Sequence, residues 1–122
     1  MKSFCSRWAV MSLLLLGTGC GVSFNKLPLV TEGPAVSEND IVSGTEVRMH
    51  LVVSDEDGDP LSYKWIQSPE APAGAFSDIS VKEPSWVAPP VTSVQTFVLQ
   101  VVIMDPEHAT VVGLTSVLVH PN

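Results

Sequence analysis

The sequence predicts an all-β fold, a sandwich of two sheets made from about seven short strands. Three observations carry that expectation. Apolar residues recur with period two beyond residue 20, as at Val47, Met49, Leu51 and Val53. Clusters of Asp, Gly and Pro interrupt the pattern at 55–60, 88–90 and 105–106, where such residues form turns. No stretch after residue 20 keeps the 3.6-residue period of an amphipathic helix. With 122 residues, one domain is the ceiling. The formal charge of −7 argues against nucleic acid as a partner, because a polyanion is met by clustered Lys and Arg.

The first 19 residues read as an export signal. Lys2 and Arg7 precede an almost wholly apolar run at 8–16, and Gly17, Thr18 and Gly19 follow. The run is shorter than the roughly 20 residues a transmembrane helix needs. Thr18-Gly19-Cys20 resembles the lipobox of bacterial lipoproteins, although Gly17 stands where that family usually has Leu. The resemblance implies cleavage before Cys20, acylation of that cysteine with palmitate-like chains, and anchoring in a membrane. Gly21 in place of an acidic residue implies the outer membrane, on its periplasmic or its outer face. The plainer reading is an ordinary signal peptide that contains a cysteine. Removing 1–19 leaves Lys26, Arg48, Lys64 and Lys82 against all 13 acidic residues, a charge of −9, and removes Cys5. An acylated Cys20 then leaves no thiol for a disulfide, so the fold rests on its apolar core.

Residues 20–33, with Gly21, Ser23, Asn25, Pro28 and Gly33, read as a flexible tether, and the domain spans 34–122. The first strand is expected near 35–42. A half-buried strand follows at 47–54, its outer face carrying Arg48, His50 and Ser54. After the acidic turn, Leu61, Tyr63 and Trp65 share one face of a third strand. Residues 68–74 hold Pro69, Pro72 and Gly74 and are irregular; 76–81 and 84–87 are short strands. The run 97–104 is apolar on both faces except for Gln100, which predicts a central strand covered on both sides. The last strand, 109–119, returns after a tight turn, with a bulge expected at Gly113. The arrangement is immunoglobulin-like, with Trp65 buried between the sheets and Tyr63, Phe97, Leu99, Val101 and Ile103 completing the core.

Val53-Ser54-Asp55-Glu56-Asp57-Gly58-Asp59-Pro60-Leu61-Ser62-Tyr63-Lys64-Trp65, then Trp86-Val87-Ala88-Pro89 and 97–105, resembles the bacterial PKD-like (polycystic kidney disease repeat) and cadherin-like modules. The usual signature continues after the tryptophan with Asp-Phe-Gly-Asp-Gly, whereas this chain has Ile66-Gln67-Ser68-Pro69, so it resembles the divergent members. The resemblance implies a non-catalytic extracellular module that binds protein or glycan or acts as a spacer. A different reading is an accessory subunit of a larger envelope complex, joined through a sheet edge at 109–119.

Asp55, Asp57 and Asp59 alternate as hard oxygen ligands for calcium do. They are not an EF-hand, since Pro60 stands where the loop requires Gly and Ile66 where it requires Glu. In a sandwich the two turns 55–60 and 105–108 share one end, which brings Asp105 and Glu107 toward the first three. The acidic residues serve either such a calcium site or the turns alone, by accepting backbone N–H bonds. His50, His108 and His120 have no second ligand at helical or strand spacing and read as surface groups. Catalysis has no constellation to support it: there is no Gly-x-Ser-x-Gly elbow, and carboxylates pair only in turns. Trp86 and Tyr63 are either a carbohydrate-stacking face or core and edge packing.

Overall fold

The computed structural model describes residues 26–122, so the expected signal segment and Cys20 lie outside the described residues. Eight strands follow one another: β1 (Leu29–Val36), β2 (Asp40–Val42), β3 (Glu46–Ser54), β4 (Ser62–Ser68), β5 (Ala75–Phe76), β6 (Ser85–Val87), β7 (Gln95–Met104) and β8 (Thr110–His120). They form two four-stranded sheets, ordered β1-β3-β6-β5 and β2-β8-β7-β4. This is the expected sandwich with one strand more, but the strand expected at 76–81 is only the two residues of β5, because the chain turns from Ser77 onward, where Asp78 accepts the N–H of Ser80. The strand expected at 35–42 is two: β1 pairs antiparallel with β3, and β2 crosses to the other sheet and pairs parallel with β8. Strand structure also begins at Leu29, so the last residues of the expected tether belong to β1.

Alternation along β3 sends Val47, Met49 and Leu51 inward, where they are buried, and leaves Arg48 and His50 exposed. From β7, Phe97, Leu99, Val101 and Ile103 meet them, and Trp65 on β4 lies between the sheets at 1% exposure. Trp86 on β6 is fully buried, so it is core and not a carbohydrate-stacking face. The rings run in a chain across the interior, Trp65 to Phe76 at 6.1 Å, Phe76 to Trp86 at 6.4 Å and Trp86 to Phe97 at 5.8 Å between centroids. Such tilted contacts add to the large area each ring removes from water. Tyr63 departs from the expected core: it is half-buried at the rim, and that partial burial pushes its phenol pKa upward.

Two further expectations need correction. β7 is central, hydrogen-bonded to β4 and β8, but it is covered on one side only. Val98, Val102 and Met104 point to the outer face and are half-buried among neighbouring side chains. Gly113 is not a bulge, because β7 and β8 keep an unbroken register from Gln95↔Val119 to Met104↔Thr110. Its missing side chain serves close approach instead: a Cβ there would stand 2.5 Å from Cδ of Pro34 and 3.4 Å from Cγ1 of Val101. The irregular pairing lies in β1, where register shifts flank Glu32 and Gly33 takes φ 78°.

Candidate metal centre

Two turns build the acidic end. Asp55 leaves β3, and its Oδ1 accepts the backbone N–H of Asp57 at 2.8 Å while its carbonyl accepts that of Gly58 at 2.9 Å. Gly58 closes the turn at φ 71°, a region that L side chains avoid. Between β7 and β8, Oδ1 of Asp105 accepts the N–H groups of Glu107 and Ala109, each at 2.9 Å. Both aspartates therefore do form turns in the way their residue type favours. The antiparallel pairing of β4 with β7, with Ser62 opposite Met104, then sets the two turns side by side.

All five acidic residues singled out by the sequence meet there. Asp55, Asp57 and Asp59 offer carboxylate oxygens within 4.8 Å of one another, and Asp59, Asp105 and Glu107 form a second such group. Asp59 belongs to both. Desolvation raises its pKa above the ordinary carboxylate value, and the charges of Asp55, Asp57 and Asp105 raise it further. One oxygen, Oδ2 of Asp55, is buried without a hydrogen-bond partner. A buried acceptor left in that state costs free energy unless a cation or water reaches it. The donors are all hard oxygens, and calcium takes six to eight of these, waters and backbone carbonyls included. The residues present fit that ion.

The chain arrives at the same end. The backbone N–H of Lys26 donates to Oδ2 of Asp57 at 2.9 Å, and its Nζ meets Glu56 Oε1 at 2.7 Å. The hydrogen bond to Glu56, then its charge, raises the Lys26 pKa. At the opposite end, His120 Nε2 lies 2.6 Å from Oδ1 of Asp40, and His120 is the last residue of β8, one beyond the strand expected at 109–119.

The other two histidines stay on the surface, as expected, although His50 is engaged. Its Nε2 is 2.8 Å from Glu32 and its Nδ1 3.1 Å from Glu83. Glu83 also accepts the N–H of Leu51 at 3.0 Å, extending the β3–β6 contact past Pro84, whose carbonyl accepts the N–H of Met49.

Sequence reasoning missed Gln67. Its amide nitrogen donates to the carbonyls of Pro69 and Pro72, both at 2.8 Å. Its amide oxygen accepts the N–H of Gly74 at 2.8 Å and Nε1 of Trp86 at 3.2 Å. Gln67 thus folds the Pro-rich loop onto the core. The one signal in the sequence was the departure from the PKD signature at this point. A cleft of about 280 Å³ opens beside it, bounded by Trp65, Ile66, Glu70 and Phe76.

No family model matches the sequence, and no curated protein does. Solved structures match it in shape. A nucleoside hydrolase-related hypothetical protein from Saccharophagus degradans, associated with carbohydrate metabolism, superposes with a TM-score of 0.59 at 20% identity over 80% of this chain. This chain spans about a quarter of that protein, 26% of its length. The PKD1 domain of Vibrio anguillarum Epp superposes with a TM-score of 0.52 at 20% identity, over 81% of this chain and all of that domain. The PKD domain from the KIAA 1837 protein gives 0.53 at 13% identity, over 85% and 94% of the two chains. With two four-stranded sheets and these neighbours, the described chain has the PKD-like, immunoglobulin-like sandwich fold.

Proposed function

We propose that this protein is a non-catalytic envelope lipoprotein, held in the outer membrane by acyl chains on Cys20, whose sandwich serves as a protein- or glycan-binding or spacer module. The observation that carries this reading is the match of the sandwich to the whole of an isolated PKD domain. The signal-like residues 1–19 and Thr18-Gly19-Cys20 support the anchor. Several acyl chains, at about 0.8 kcal/mol per buried methylene, hold a protein firmly in a bilayer.

Calcium belongs to the same proposal, with Asp55, Asp57, Asp59, Asp105 and Glu107 as its ligand set. Lys26 on the acidic turn supports a tether that leaves from this end, so that the acidic end faces the membrane and Asn122 points away. Divalent cations there would bridge the carboxylates to anionic headgroups, which would otherwise repel them.

The accessory-subunit reading keeps one observation in its favour. β2 pairs only with Leu118–His120, which leaves the outer edge of β8 from 110 to 117 without a strand partner among the described residues. A strand from another protein could add there.

Globomycin treatment of cells expressing the full chain tests the anchor. Accumulation of an uncleaved precursor, and loss of detergent-phase partitioning in Cys20→Ala, are the expected results. A Cys20→Ala protein that still partitions with detergent overturns the lipoprotein reading. Affinity purification from crosslinked membranes separates the two roles, a stoichiometric envelope partner favouring the subunit.

A further inference from the structure

The two outer faces of the sandwich differ in chemistry. On the β1-β3-β6-β5 sheet the outward side chains include Glu32, Glu46, Arg48 and His50, and Glu83 is paired over them. On the other sheet, no outward residue of β4, β7 or β8 is Asp or Glu, and Lys64 is the single Lys or Arg. Register places these residues in rows. Ile66, Gln100 and Leu114 make one row; Lys64, Val102 and Val112 make the next. Ile66, Val112 and Leu114 are 41%, 54% and 59% exposed. Asp40, outward on the edge strand β2, is paired with His120, so the β4-β7-β8 part of this face on a domain of charge −9 is the surface on which two like-charged copies meet with least repulsion.

We propose that this face pairs with the same face of a second copy, about a two-fold axis that runs along β7. The rows are self-complementary under that operation. Because the axis exchanges β4 with β8 and keeps the level along the strands, Ile66 lies against Leu114 of the second copy, and Gln100 meets Gln100 as a donor–acceptor pair. Lys64 lies against Val112 of the second copy. The axis also leaves both Lys26 ends pointing the same way, as two copies anchored in one membrane require. That last point rests on the anchor proposed above; the face itself does not.

Size sets the strength. Three strands about 4.8 Å apart and four outward residues deep give a patch of about 14 by 27 Å, on the order of 400 Å² per copy. Stable interfaces bury about 800 Å² per partner. The pairing is therefore weak in dilute solution and is favoured by a high local concentration of copies, whether held in one membrane or raised by expression.

Site-specific photocrosslinking of the full chain in cells tests the proposal, with benzoylphenylalanine at Leu114, at Val112 and, as a control on the opposite face, at Glu46. Expected is a covalent product of twice the monomer mass from Leu114 and Val112 and none from Glu46. Crosslinks to a different protein alone, or no product, overturn the proposal. Ile66→Glu and Leu114→Lys should each reduce the dimer at least several-fold, and the double variant should restore it, since each Glu then faces a Lys of the other copy. Failure of the double variant to restore it overturns the stated axis. Repeating the measurement in Cys20→Ala separates the two proposals: a dimer that survives at raised expression supports the face independently of the anchor.

Discussion

Replacing Gln67 by methionine tests whether the Pro-rich loop is held to the core as described. Methionine matches glutamine in length and removes all four hydrogen bonds of its amide. The carbonyl of Pro69, an exposed residue, turns to water at little cost. Nε1 of Trp86 cannot do the same, because that residue is fully buried, and Gly74 is half-buried. A buried donor left without a partner costs about 1–3 kcal/mol. Two such donors, one fully and one partly shielded, give a loss of about 3 kcal/mol. For a domain of this size the melting temperature then falls by more than about 10 °C. Urea unfolding followed by tryptophan fluorescence, with Gln100→Met on the outer face as the control, reads the difference directly. An unchanged slope and a midpoint shift worth less than about 0.5 kcal/mol would refute the reasoning.

Gly113→Ala should destabilise by about 1–3 kcal/mol through its contact with Pro34, and Pro34→Ala should recover most of that loss in a double-mutant cycle; additive effects would place the strain elsewhere. The pKa of His50 is raised first by its hydrogen bond to Glu32 and then by the charges of Glu32 and Glu83. Its contribution is therefore complete below the ordinary histidine value of about 6.5 and is lost as pH rises through the raised one. Melting temperature should decline across that window in the parent and lose this component of its slope in His50→Gln. Calcium at millimolar concentration should raise the melting temperature and release heat on binding, and Asp59→Asn should diminish both; an inert calorimetric trace would remove the ion from the proposal.

Sequence made the strands legible where one face is buried and the other wet. At Val47, Met49 and Leu51 the inward residues are apolar and those between them are Arg48 and His50, so period two stands out. It misled at β7, because Val98, Val102 and Met104 look like a second buried face and are the outer surface of a sheet. Apolar composition alone does not tell a covered face from an uncovered one. The crossing of the first strand between sheets was also hidden, since it depends on β8 being in place to receive Asp40–Val42. The gathering of the five acidic residues was legible because topology alone brings the two turns together. Gln67 was not: three of its four partners come from the Pro-rich loop and one from β6, and no spacing in the sequence encodes them.

The acidic end carries a balance of charge that Lys26 does not close. Its ammonium and the carboxylate of Glu56 are both largely exposed, and pairs of that kind contribute little in water. The firmer contact is the backbone N–H on Asp57, which fixes where the chain joins the domain without neutralising Asp59 or Asp105. Asp59 retains its raised pKa beside three other carboxylates, and Oδ2 of Asp55 keeps no hydrogen-bond partner. Turn formation explains Oδ1 of Asp55 and Oδ1 of Asp105, each of which caps backbone N–H groups. It does not explain why a third and a fourth carboxylate crowd the same point. A divalent ion would satisfy that remainder and leave the turn-forming bonds intact. The two uses of the aspartates are therefore compatible, with one oxygen of Asp55 serving the turn and the other available to a cation.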